Sequence, residues 1–145
     1  MLIANGINET RNMNMEISLP VTAIFTFIFA LFIFSLVYRV VTMRRKYKVG
    51  YGASKQDELK MAISAHSNAV ENIPLGLFLL MLLEIHLANQ VLLIILASVF
   101  LLARVIHAKG LNQSIGKSFG RTYGTIISWF VVIVMAALNV YYSIF

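Results

Sequence analysis

Ala65-His66-Ser67-Asn68-Ala69-Val70-Glu71-Asn72-Ile73-Pro74 runs without a break into Leu75-Gly76-Leu77-Phe78-Leu79-Leu80-Met81-Leu82-Leu83. An imidazole, two amides and a carboxylate stand within seven residues at the edge of a run that reads as membrane-buried. Polar groups in hydrocarbon are costly unless they find partners or water, so at a membrane span they mark a functional site by default.

The rest of the chain fits that setting. Its 145 residues are 59% hydrophobic and only 12% charged, with a mean hydropathy of +0.81, whereas about a quarter of a soluble domain is charged. There is no cysteine, so the protein has no disulfide framework, thiol nucleophile or thiolate metal site of its own. Any thiol chemistry must use a thiol brought in by a substrate.

Residues 1–18 are polar, lack a basic n-region and read as a mobile lead-in. Residues 19–145 form one membrane domain with spans at about 19–43, 57–84, 88–108 and 121–143. Ser18 is placed to cap the first span, with Pro20 in its first turn. Val21 to Tyr38 carries no charge and is long enough for a hydrocarbon core of about 30 Å. A basic stretch, Arg44-Arg45-Lys46-Tyr47-Lys48, leads to a turn at Gly50-Tyr51-Gly52, and Ser54 with Asp57 forms a capping pair for the second span. Pro74 is expected to kink that span, Gly110 to cap the end of the third, and Tyr141-Tyr142 to anchor the fourth at the interface. The expected fold is an all-α integral membrane protein, a bundle of four transmembrane helices.

Four spans put both termini on one side. Every Lys and Arg except Arg11 falls around the first and third connections. By the positive-inside rule those connections are cytoplasmic and the termini outside. The net charge of +6 is then topological, and no nucleic-acid partner is expected.

Asn68, Glu71 and Asn72 share one helical face with Ser64, Arg104 and His107 stand three apart near the end of the third span, and Arg121 opens the fourth. Three helices thus bring Asn68, Glu71, Arg104, His107 and Arg121 to one level. The plainest reading is a buried Glu71–Arg104 ion pair that fixes helix packing, which is compatible with a ligand beside it. Arg121 alone also suits a phospholipid headgroup. His66, His107 and Glu71 lack the tight spacing of metal ligands, so no metal is expected. Donors, amides and one carboxylate together suit a small zwitterionic ligand.

The stretch Ala65 to Pro74 resembles the A-H-x-N-x-x-E-x-x-P signature of the MAPEG family, the membrane-associated proteins in eicosanoid and glutathione metabolism. Leu102-Ala103-Arg104-Val105-Ile106-His107-Ala108-Lys109-Gly110 resembles the family's A-R-x-x-H segment, and Gly120-Arg121-Thr122 the Arg-Ser pair that begins its fourth helix. The resemblance runs from about Leu31 onward and is nearest to bacterial members, especially through Tyr47 to Gly52. It implies a homotrimer in the bacterial inner membrane, with glutathione as co-substrate bound between subunits near the cytoplasmic face. Carried over by position, Asn68 and Glu71 hold the tripeptide, Arg104 and His107 line the site, and Arg121 stabilises the thiolate beside Thr122. Arg45 matches a further arginine near the thiol. Met61, Ser64 and Ser67 stand where members often carry arginines, and Leu111 where many carry a tyrosine.

The implied function is a glutathione-dependent transferase or peroxidase acting on lipophilic electrophiles or hydroperoxides that membrane lipid concentrates. The alternative is a non-catalytic member of the same fold that binds a lipid or small ligand. A four-span multidrug transporter is a third reading, but it expects its acid deep in the first span, where Val21 to Tyr38 has none.

Overall fold

The structure, a computed structural model, describes residues 18–53, 55–86, 88–113 and 116–145. The lead-in through residue 17 and the Ser54 cap lie outside the described residues. Four helices follow one another, α1 (Pro20–Tyr47), α2 (Asp57–Ile85), α3 (Gln90–Gln113) and α4 (Phe119–Ile144), with no strand among the described residues. Each is long and apolar enough to cross a membrane. Their 24 to 29 residues extend about 36–44 Å at 1.5 Å per residue, more than a hydrocarbon core of ~30 Å. The chain is a multi-pass membrane protein, and Phe27, Phe34, Phe130 and Ile133 are among the large apolar side chains it leaves exposed.

The start of α1 departs from the expected Ser18 cap. Leu19 occupies the N-cap and makes no side-chain cap hydrogen bond. Glu84, near the far end of α2, caps the helix instead: Val21 N–H donates to Oε1 at 2.8 Å and Thr22 N–H to Oε2 at 2.7 Å. Pro20 has no N–H to satisfy. The carboxylate is only 6% exposed, and its charge meets the positive end of the α1 dipole. A single side chain therefore caps one helix while tying it to another.

At the opposite end, basic residues shape the α1–α2 connection. Lys48, at φ 52°, ends α1 in a left-handed cap, with Val49 N–H donating to the Arg44 carbonyl at 3.1 Å. Arg44 Nη1 reaches the carbonyls of Gly50 and Gly52, both at 3.1 Å, while Lys46 and the Tyr47 hydroxyl both donate to Glu58. The stretch that reads as a topology signal is also the lacing of a turn. Gln56 holds the N-cap of α2, without a side-chain bond, and Asp57 accepts from Lys60. Pro74 sits inside α2, which continues through it.

Small residues let the helices approach. Ala62, Ala65, Ala69, Ile73, Gly76 and Leu80 recur every three or four residues on the buried face of α2. Gly76 leaves room for the Phe100 ring, which packs on Phe29 with centroids 5.5 Å apart. Gly110 is not the C-terminal cap expected of it. It is buried inside α3, where a side chain would collide with the start of α4. On α4, Gly120, Gly124 and Ser128 form a small-residue stripe of the kind that brings membrane helices together. A Cβ at Gly124 would lie 2.6 Å from that of His107, and one at Gly120 would lie 2.8 Å from the Ile106 carbonyl oxygen. Gly124→Val is therefore expected to destabilise the protein by about 2–3 kcal/mol through overpacking. The exposed Ile126→Val serves as a neutral control in thermal unfolding of the detergent-solubilised protein.

Candidate functional site

The close α3–α4 crossing puts His107 beside the first turns of α4. His107 Nδ1 stands 2.9 Å from the Arg121 carbonyl and 3.0 Å from the Thr125 hydroxyl. The Thr125 hydroxyl donates to the same carbonyl at 2.8 Å. The other imidazole nitrogen is Nε2. It is buried without a hydrogen-bond partner, on a side chain only 4% exposed.

Across from it, α2 contributes Ser64, Ser67, Asn68 and Glu71. With His107, Leu111, Arg121 and Thr125 they line an open groove of about 350 Å³ at the end of the bundle that carries the basic connections. Three helices meet there, and four of the seven candidate residues, Asn68, Glu71, His107 and Arg121, share its walls. Glu71 is exposed within it.

Three candidates lie elsewhere. Arg104 is buried, 2% exposed, at the α2–α3 seam behind Asn68, and it does not form the expected ion pair with Glu71. Its Nη2 donates to the Asn68 carbonyl at 3.0 Å and to Asn68 Oδ1. The ion pairs among the described residues are Lys46–Glu58 and Lys60–Asp57, both on the surface. Asn72, one residue beyond Glu71, turns away to donate to the Asn68 carbonyl at 2.9 Å. Thr122 lines a second hollow of about 520 Å³, together with Lys117, Arg121, Thr125, Ile126 and Trp129. Arg45 lines a third, of about 400 Å³, on the face of α1 that also bears Phe34, Tyr38 and Val41.

Thr125 is absent from the sequence motifs, whereas Leu111 is noted there, and helical spacing accounts for both. Thr125 belongs to the groove because it stands four residues after Arg121 on the same face of α4, and Leu111 because it stands four after His107 on α3. That spacing is the signal that finds them. Three of the neutral residues at positions where an arginine or tyrosine is often found, Ser64, Ser67 and Leu111, all line this one groove.

The MAPEG family model matches residues 22–141, which takes in every candidate residue. Two curated relatives, both described as inner membrane protein YecN, come from Escherichia coli strain K12 and from Escherichia coli O6:H1. Each is 30% identical to this chain over 122 residues, 84% of this chain and 92% of the relative.

Proposed function

Because the chain belongs to the MAPEG family, we propose that it is a membrane-bound, glutathione-dependent transferase or peroxidase whose thiolate is stabilised by Arg121. The observation that carries this reading is the position of Arg121 and Thr125, which line two cavities at once. On one side is the polar groove of Asn68, Glu71 and His107. On the other is a hollow whose floor descends over Ile126 and Trp129, both more than half exposed on the apolar face of α4. A water-soluble thiol in the first and a lipophilic acceptor in the second would meet at one guanidinium.

The groove complements the tripeptide group by group. Glu71 is the anion for its ammonium, and Asn68 and Arg121 are donors for carboxylate. A free thiol has a pKa of about 8.5, and only its thiolate is a good nucleophile. The guanidinium is always charged and favours the anion in a partly desolvated site. The thiolate then forms a bond to an electrophilic carbon as the leaving group departs, or attacks a hydroperoxide oxygen, breaking the O–O bond to release the alcohol after protonation. The second route leaves a glutathione sulfenic acid that a second glutathione converts to the disulfide and water. Binding, orientation and electrostatics supply what such reactions need.

In this reading the protein is a homotrimer in a bacterial inner membrane, with both basic connections in the cytoplasm and the termini outside. Arg45 lines a hollow away from the groove, where a residue of a site shared between subunits would stand. The test is ultraviolet thiolate absorbance on adding glutathione at neutral pH. Absorbance that S-methylglutathione does not produce, and that Arg121→Ala abolishes, supports the reading. Its absence from the wild type with glutathione bound removes the thiolate role.

A second reading, ligand binding without catalysis, draws on Ser64, Ser67 and Leu111 in the groove walls. With fewer cations there, the groove holds a tripeptide of net negative charge less tightly. Ser67→Arg is then expected to raise glutathione affinity by about three- to tenfold, the scale of one added charge-assisted hydrogen bond in a half-open site. Equilibrium dialysis with labelled glutathione checks it, and an unchanged affinity means Ser67 does not face the tripeptide.

A further inference from the structure

Arg104 is a guanidinium at 2% exposure with no carboxylate beside it among the described residues. Its Nε is buried without a hydrogen-bond partner, and Nη2 is committed to the backbone carbonyl and side-chain oxygen of Asn68. Charges this deep are ordinarily paired with an opposite charge, because a buried ion satisfied only by neutral dipoles remains costly. A helix-packing role is met as well by an apolar side chain, so the charge itself calls for another explanation.

That explanation lies in what the charge does to Asn68. A guanidinium has donors and no acceptor, so the atom of the Asn68 amide that faces it is the oxygen. The amide NH₂ is then on the opposite branch. Asn68 both hydrogen-bonds Arg104 and lines the groove with Glu71, His107 and Arg121. The Asn68 carbonyl is also held, by Arg104 on one side and the Asn72 amide on the other, so the backbone beneath the side chain is fixed too.

We propose that Arg104 is a positioning residue: it locks the Asn68 amide with NH₂ toward the groove, so that this wall reads a carboxylate, and it never touches the ligand itself. Without the lock, an asparagine amide presents oxygen or nitrogen with little preference, and a carboxylate meets an acceptor part of the time. The uncompensated charge of Arg104 lies behind the same amide and adds a field that favours an anion at its far side. The ligand assignment rests on the glutathione reading above, whereas the orientation of Asn68 does not.

Two measurements separate these. The first is glutathione affinity of the detergent-solubilised protein by calorimetry. Arg104→Met is expected to weaken binding about tenfold to a hundredfold, the scale of a lost hydrogen bond to a charged group. Asn68→Ala is expected to cost about as much, and the double variant little more than either alone, because both act through one amide. Arg104→Lys keeps the charge and one donor and should recover part of the affinity; it also serves if the methionine variant does not fold. A residue that only packs helices would lower the unfolding midpoint and give effects that add to those of Asn68→Ala. Additive effects, or an Arg104→Met variant that binds as well as wild type, overturn the proposal.

The second measurement needs no ligand. In protein labelled with ¹⁵N-asparagine, the Asn68 side-chain amide signals are identified by their loss in Asn68→Asp. Arg104→Met should shift them and bring them toward the positions of a freely rotating amide, with Arg104→Lys in between. Unmoved signals overturn the positioning role whatever glutathione does. Signals that move in a protein that binds no glutathione leave Arg104 positioning Asn68 and refute the glutathione reading.

Discussion

Replacing Glu84 with leucine should cost the protein about 2–6 kcal/mol, from ~1–3 kcal/mol for each of two buried backbone N–H groups left without an acceptor. The groups are those of Val21 and Thr22, and no other side chain among the described residues caps α1. In a bilayer the penalty is steeper than it would be in a soluble domain, since water is not at hand to take over. Glu84→Gln keeps one acceptor oxygen but turns an NH₂ toward the second backbone donor and removes the charge that faces the helix dipole. It should therefore fall between wild type and Glu84→Leu. Thermal unfolding in detergent, followed by circular dichroism, gives the order. A leucine variant as stable as wild type would show that α1 does not depend on this cap. Glutathione affinity per folded molecule should change little in the glutamine variant, because Glu84 stands thirteen residues beyond Glu71 on α2, toward the other end of the bundle.

The largest effect on chemistry is expected at Arg121. Arg121→Ala should lower kcat/KM for conjugation of glutathione with a lipophilic electrophile by about 10²-fold at neutral pH, the scale of losing one preorganised charge stabiliser. The pH profile should move with it. With Arg121 present, the thiol ionises below its free value and the rate reaches its plateau at lower pH. Without Arg121, the rate keeps rising toward a pKa of about 8.5, so the deficit shrinks in alkaline buffer. A deficit that stays constant across pH would assign Arg121 to binding alone. Arg121→Lys should retain part of the rate, since a point charge can still stabilise sulfur, though without the planar fork.

The sequence displays the framework openly because hydrophobic length is a local property. Val21 to Tyr38 and the other apolar runs are readable as spans without knowing any neighbour. Helical spacing similarly brings Asn68 and Glu71 to one face, and both line the groove. What spacing cannot decide is which of several nearby partners a side chain takes. Arg104 was within reach of a carboxylate and an amide by periodicity, and the fold gives it Asn68 while Glu71 faces the groove. Glu84 is the plainer case: the groups it caps lie 62 and 63 residues away, and nothing around it in the chain marks it. Gly110 reads as a helix end because glycine commonly ends helices, yet here it marks the approach of another helix. Arg45 and Thr122 lie in separate hollows within one chain, so their common role, if glutathione binds between subunits, belongs to the assembly rather than to local pattern.

Glutathione titrated into the purified, detergent-solubilised protein bears most directly on the central claim. The account predicts saturable binding at millimolar concentration or below, weakened by Glu71→Gln and by Asn68→Ala. No binding to the wild type at millimolar glutathione would contradict it.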